Sequence, residues 1–183
     1  SAARFDRKRL DWLNGQHIRR LPVEALRDRV LPILERAGFP VHEKTQRWLT
    51  EMAGICQEKL STLNQIVDYT DFFFNEIDTY EEKAVRKQWR QADAPARMQR
   101  MTAVMEEADP FDAATLQAAY QALSEETGEG LGKFVHPTRL ALTGKSVGPG
   151  LFELAALLGR DTCLARMRAA QAYIEAEAGA EHS

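Results

Sequence analysis

The chain has 183 residues, 24 Lys and Arg against 27 Asp and Glu, a net charge of −3 and 44% apolar residues. This is an ordinary balance for a folded domain and enough material for one sizeable core or two small ones. No apolar run approaches the roughly 20 residues of a membrane-crossing helix, and the start has no signal-peptide pattern, so membrane residence is not expected and a cytoplasmic protein is.

Helical periodicity then dominates in chain order. "RFDRKRLDWLNGQHIRRL" sets Phe5, Leu10, Trp12, Leu13 and Ile18 among basic residues, and Phe5, Leu10 and Trp12 are expected in a core. "PVEALRDRVLPILERAG" starts on Pro22 and stops at Gly38; Pro32 is expected to kink or break it. "EKTQRWLTEMAGICQEKL" and "TLNQIVDYTDFFF" give two more helices, and "EEKAVRKQWRQA" and "PARMQRMTAVMEEA" follow. "DAATLQAAYQALSEETG" has Asp112 as N-cap and Gly128 as stop. "GLFELAALLG" and "DTCLARMRAAQAYIEAEA" complete the set, with Asp161 as a second N-cap and a tail expected to fray. The alanine-rich stretches 113–123 and 169–178 are expected to approach neighbours closely. No strand-like alternation persists. The expected fold is all-α, a bundle or cage of about nine or ten helices. After Phe72-Phe73-Phe74 the sequence turns acidic, which places a boundary near 75–95 and divides the chain into residues 1–85 and 86–183.

Catalytic chemistry is not evident. No Ser, Thr or Cys has a base nearby in sequence, and the pairs Glu81-Glu82, Glu106-Glu107 and Glu125-Glu126 suit solvated helix ends. His17, His42, His136 and His182 lack metal-ligand spacing, so no metal is expected. Cys56 and Cys163 suit buried small hydrophobes in a reducing compartment. Gly144-Lys145-Ser146 copies the end of a nucleotide phosphate loop, but that loop needs glycine at position 139, where Arg139 stands, and a buried strand before it. Charge is uneven: residues 1–47 hold 11 basic and 6 acidic side chains, residues 48–134 hold 8 and 16, and the rest 5 and 5. A basic head on an acidic body suits a polyanion at one end, or ordinary surface variation.

Two stretches are more specific. "FDRKRLDWLNGQHIR" (5–19) and "LALTGKSVGPGLFELAALLG" (140–159) resemble, in order and spacing, the C-terminal region of bacterial-type glutamyl-tRNA synthetases, class I aminoacyl-tRNA synthetases. The first carries that family's pattern at Phe5, Asp6, Arg9, Leu10, Trp12 and Asn14; "KLSTL" (59–63) and "DFFF" (71–74) fall in comparable places. The resemblance spans about residues 4–176. It implies the helical remainder of an ATP-dependent glutamate–tRNA ligase: a part near the tRNA stem over 1–85 and an anticodon-binding part over 86–183. The family's Rossmann catalytic domain, with its HIGH and KMSKS signatures, is not in this sequence. The chain alone is thus expected to lack catalytic residues and activity, and to hold no cofactor, ATP and Mg belonging to the parent's catalytic domain.

By position, the resemblance implies anticodon contacts at Arg139, Gly148, Pro149 and Leu151, with Arg139 as hydrogen-bonding fork and Pro149 and Leu151 as an apolar shelf. Lys59 stands where relatives carry an arginine that reads the third anticodon base, which raises glutamine tRNA as a second partner beside glutamate tRNA. Gly148 replaces a threonine of some relatives. Arg9, Arg19, Arg20 and Lys145 are candidate contacts to the tRNA backbone. The resemblance implies tRNA as the partner and a monomer is expected; the competing reading is a helical protein–protein interaction module with no RNA partner.

Overall fold

The computed structural model describes residues 2–180, with side chains from Asp6 onward. Ten α-helices and two short 3-10 turns make up its regular structure, with no strand among the described residues. The all-α expectation holds. The chain forms two compact units that meet in sequence at Asn75 and Glu76. Residues 76–85, placed by the sequence in the first part, therefore group with the second, because Ala84 and Val85 are buried where their helix packs on the one that carries Arg139.

The first unit holds α1 (Ala2–Arg20), α2 (Val23–Arg36), α3 (Gln46–Gln57) and α4 (Ile66–Phe74). Leu26, Val30 and Leu34 recur at helical spacing on α2 and are fully buried against α3. Pro32 does not break α2, which runs on through it to Arg36; the proline is exposed, so its ring faces solvent. The helix ends in a Schellman motif, with Phe39 N–H donating to Leu34 C=O at 3.0 Å and Gly38 at φ +85°. Phe39 then stacks on Phe74 at 5.1 Å. Gln57 of α3 donates to the carbonyls of Ile18 and Leu21 at 2.9 Å each, which satisfies the C-terminal end of α1.

The front of α1 departs from expectation. Leu10, Trp12 and Leu13 are 57%, 60% and 48% exposed; the burial begins only at Gly15 and Ile18. Trp12 lies about 160° around the helix from Leu10, so no single packed face could take both. The Phe5 side chain and His182 lie outside the described residues.

The second unit holds α5 (Glu82–Gln88), α6 (Ala94–Glu107), α7 (Ala113–Thr127), α8 (Gly132–Thr143), α9 (Leu151–Leu158) and α10 (Arg160–Ala180). Its core is built from Met98, Met101 and Met105 of α6, Leu116 and Tyr120 of α7, Phe134 and Leu140 of α8, and Met167 of α10. Tyr120 is the largest fully buried side chain, and its hydroxyl meets Thr138 Oγ1 at 2.8 Å. Thr138 itself donates to Phe134 C=O, so the tyrosine is the donor of that pair. Asp112 caps α7 by accepting from Thr115 N–H at 2.8 Å, a bond that holds its carboxyl below the usual value. Gly128, at φ +70°, stops the helix. The alanine-rich stretches differ: on α7 Ala114, Ala118 and Ala122 face solvent and Ala113 and Ala119 are half-buried, whereas Ala170 of α10 is fully buried. Asp161 falls inside the first turn of α10 instead of capping it. That helix continues to Ala180, and the rest of the tail lies outside the described residues. Cys56 and Cys163 are both free and buried, and burial pushes each thiol up to about 12.

Sequence reading does not identify α8, since Pro137 sits in its middle. The helix survives because its lost bond is replaced. Proline lacks the N–H that would reach Lys133 C=O. Arg97 Nη1 donates to that carbonyl at 3.5 Å, while its Nη2 pairs with Asp93 and with Glu129, the latter at 3.1 Å. The same guanidinium lies 5.7 Å from the Phe134 ring centroid. A side chain from α6 thus fills the gap that proline opens in α8.

Candidate nucleic-acid interface

The C-terminal end of α8 and the turn that follows carry most of the sequence-predicted contacts. Gly144 caps α8 in the left-handed region at φ +75°, its N–H donating to Leu140 C=O at 2.8 Å. A Cβ there would stand 2.7 Å from Thr79 C=O and 3.1 Å from Ile77 Cγ2. The glycine is required twice, for its torsion and for the close approach of residues 77–79. Glu81 continues that approach. Its N–H donates to Gly144 C=O at 2.9 Å, and its carboxylate accepts from Ser146 N–H at 3.0 Å and from Ser146 Oγ at 2.8 Å. The donors that a phosphate loop would offer to a nucleotide are engaged here by an internal carboxylate.

Thr143 closes the turn from within: its Oγ1 accepts from Lys145 N–H at 3.1 Å and donates to Arg139 C=O at 2.8 Å. Arg166, buried on α10, donates to Leu142 C=O at 2.7 Å and so holds the last carbonyls of α8. The far side of the turn is closed by Arg139, whose Nη1 donates to Pro149 C=O at 2.6 Å. Burial pulls this guanidinium below its ordinary value, and the neighbouring Glu153 carboxylate pulls the other way. Arg139 is half-buried, and the bond from Nη1 holds its guanidinium against the turn.

Pro149 and Leu151 are buried, Leu151 to 4% exposure, and support the turn from beneath. Gly148 is half-exposed, and Val147 stands at the tip, 67% exposed. Val147 and Glu153 were not singled out from sequence. An apolar residue between Ser146 and Gly148 in a glycine-rich turn has no core to enter, which is the signal that could have marked it. Lys145 is half-buried beside them.

The other predicted contacts belong to the first unit. Lys59 is exposed just past α3, where its N–H donates to Cys56 C=O at 2.9 Å. Arg9 and Arg20 are exposed on α1; Arg19 folds back toward Gly15 and is half-buried. The structure therefore joins Arg139, Lys145, Gly148, Pro149 and Leu151 in one turn and assigns Lys59, Arg9, Arg19 and Arg20 to a different compact unit. Among the described residues no group of three or more His, Cys, Asp or Glu could hold a metal ion, and no helix is long and apolar enough to cross a membrane.

A family model described as an anticodon binding domain matches residues 24–171, most of both units. The chain belongs to the anticodon binding domain family. This domain is 34% identical over 177 residues to a glutamate–tRNA ligase of Moorella thermoacetica, covering 95% of the chain and 36% of that protein. It is 37% identical over 182 residues to the glutamate–tRNA ligase of Acidothermus cellulolyticus, covering 94% and 35%. The domain thus spans about a third of the length of the curated relatives it matches. Among solved structures, a glutamate tRNA ligase from Elizabethkingia meningosepticum in complex with its amino acid superposes with a TM-score of 0.78 at 24% identity, over 90% of this chain and 32% of that one. That superposition establishes a shared helical fold.

Proposed function

We propose that this domain is the tRNA-recognising part of a glutamate–tRNA ligase and that it reads the anticodon with the turn at residues 144–150. The observation that carries the reading is the stitched turn: Glu81 and Thr143 at one end and Arg139 at the other hold Val147 and Gly148 outward with a guanidinium beside them. Sequence in RNA is read where bases are unstacked, on edges that a fork of donors can reach and on faces that apolar groups can cover. Arg139 supplies the fork and Val147 the exposed apolar surface. Gly148 lets backbone groups approach a base, and Pro149 and Leu151 hold the platform. Lys59 adds a mobile point charge from the first unit, which selects less sharply than a bidentate arginine would and admits glutamine tRNA beside glutamate tRNA. Arg9, Arg19, Arg20 and Lys145 contribute phosphate contacts.

In this reading the domain acts as a monomer in the cytoplasm. Aminoacylation, with its ATP and Mg, belongs to a catalytic domain elsewhere in the parent. The test is binding of glutamate tRNA and of the same tRNA with a changed anticodon, to the wild-type domain and to Arg139→Ala. Wild type is expected to prefer the native anticodon, and Arg139→Ala to lose about 1–3 kcal/mol of that preference with a smaller loss on the changed tRNA. Equal binding of both tRNAs by the wild-type domain removes the anticodon reading, and binding of neither leaves the protein-interaction alternative.

A further inference from the structure

Resting on the RNA reading above, we propose that a cleft between α5 and α8, beside the 144–146 turn, is a binding site for an RNA backbone phosphate. The cleft has a volume of about 260 Å³ and is lined by Glu81, Lys83, Ala84, Lys87, His136 and Ser146, with Gln88 at its edge. Lys83 and Lys87 are four residues apart on α5, so both ammonium groups leave the same face of the helix. His136 comes in from α8. Among the described residues none of these three side chains has a hydrogen bond or an ion pair, whereas Arg86, on the same short helix, is held by Glu82. The only carboxylate on the wall is Glu81, and it is engaged by the Ser146 amide and hydroxyl. Those donors are neutral, so the carboxylate keeps its charge and the wall sets two ammonium groups against one carboxylate.

The placement in sequence supports the same conclusion. Residues 48–134 carry 8 basic and 16 acidic side chains, and four of those 8 bases fall within 83–90. Two of the four, Arg86 and Arg90, pair with Glu82 and Glu177; the two that line the cleft do not pair. Ala84 is the single apolar residue of the lining, and His136 is its single aromatic ring. Two mobile ammonium donors on one helix face match a phosphate, which lysine meets as a point charge. Its position, one residue's reach from the anticodon-reading turn through Ser146, suits a nucleotide flanking the bases read there.

The experiment is binding of glutamate tRNA and its changed-anticodon counterpart as a function of salt, with wild type, Lys83→Ala/Lys87→Ala and Lys83→Arg/Lys87→Arg. A phosphate contact carries affinity without sequence information, so the alanine pair is expected to weaken both tRNAs by the same factor, on the order of tenfold at low salt. It should also flatten the slope of log K against log salt by about 1 and leave the ratio between the two tRNAs unchanged. The arginine pair is expected to bind as wild type does. Both lysines are exposed, and unchanged melting temperatures certify the fold. An unaltered affinity and salt slope in the alanine pair overturns the site, as does a loss confined to the native anticodon. Absence of anticodon preference in the wild-type domain, with the uniform loss still present, would instead discard the anticodon reading and keep the phosphate site.

Discussion

Gly144 shows how one residue type can be fixed by two separate demands. Its torsion lies in the left-handed region, which costs an L-residue about 1–2 kcal/mol. Its missing Cβ leaves room for Thr79 C=O, a backbone atom that cannot swing aside as a long side chain would. Gly144→Ala is therefore expected to destabilise the second unit by about 2 kcal/mol or more, read as a lowered denaturation midpoint. An unchanged midpoint would show that residues 77–79 give way freely. Gly148 tests the contrast: it has a negative φ, and a Cβ there would meet only the far end of Arg139, at 3.4 Å. The glycine-rich motif that mimics a phosphate loop is thus two things in sequence, a structural glycine at 144 and a permissive one at 148. Position 139 distinguished them from a nucleotide loop; the approach of residues 77–81, remote in sequence, was not legible at all.

At the scale of elements, α8 is the instructive case, because the helix that presents Arg139 was the one that periodicity missed. A proline in mid-helix argues for a break, and Pro137 removes a bond that α8 would otherwise make to Lys133 C=O. What sequence cannot show is a donor arriving from another helix. Arg97 provides it, and is largely buried, with its side chain 11% exposed. Arg97→Met leaves that carbonyl without its donor and frees Asp93 and Glu129, an expected loss of about 1–3 kcal/mol. Pro137→Ala restores a backbone N–H in reach of Lys133 C=O, so Arg97→Met is expected to cost less in that background. Equal costs in the two backgrounds, measured as a double-mutant cycle by chemical denaturation, would show that the arginine acts only through its carboxylate partners. Among the helices that sequence did place, α2, α3, α6 and α7 carry apolar residues that recur every three or four positions around a core of their own unit, with caps at Thr45 and Asp112. The front of α1 misled for the opposite reason. Its residue types suit a core, but Leu10 and Trp12 project from different sides of the helix and remain exposed.

At the scale of the molecule, the two compact units each carry a separate buried set, Ile18 to Phe73 in the first and Ala84 to Ile174 in the second. The residues that join them in sequence are not equally held. Glu81 is hydrogen-bonded to Gly144 and Ser146, and Ile77 and Thr79 lie close against Gly144. Glu76, one step earlier, is exposed and lies outside any helix. Nicking by a protease requires a stretch of backbone that can leave its hydrogen bonds and enter the enzyme's cleft, and helical glutamates cannot do so without local unfolding. A glutamate-specific protease under native conditions is therefore expected to cut first after Glu76, before Glu106, Glu125 or Glu175 within helices, yielding two products that both keep a helical circular-dichroism signal. The second product retains Glu81, Arg139 and the whole turn 144–150, so it is also the piece expected to keep the anticodon preference, while Lys59 leaves with the first. First cuts inside α6 or α10, or loss of helical signal on a single cut at Glu76, would mean that neither core stands by itself.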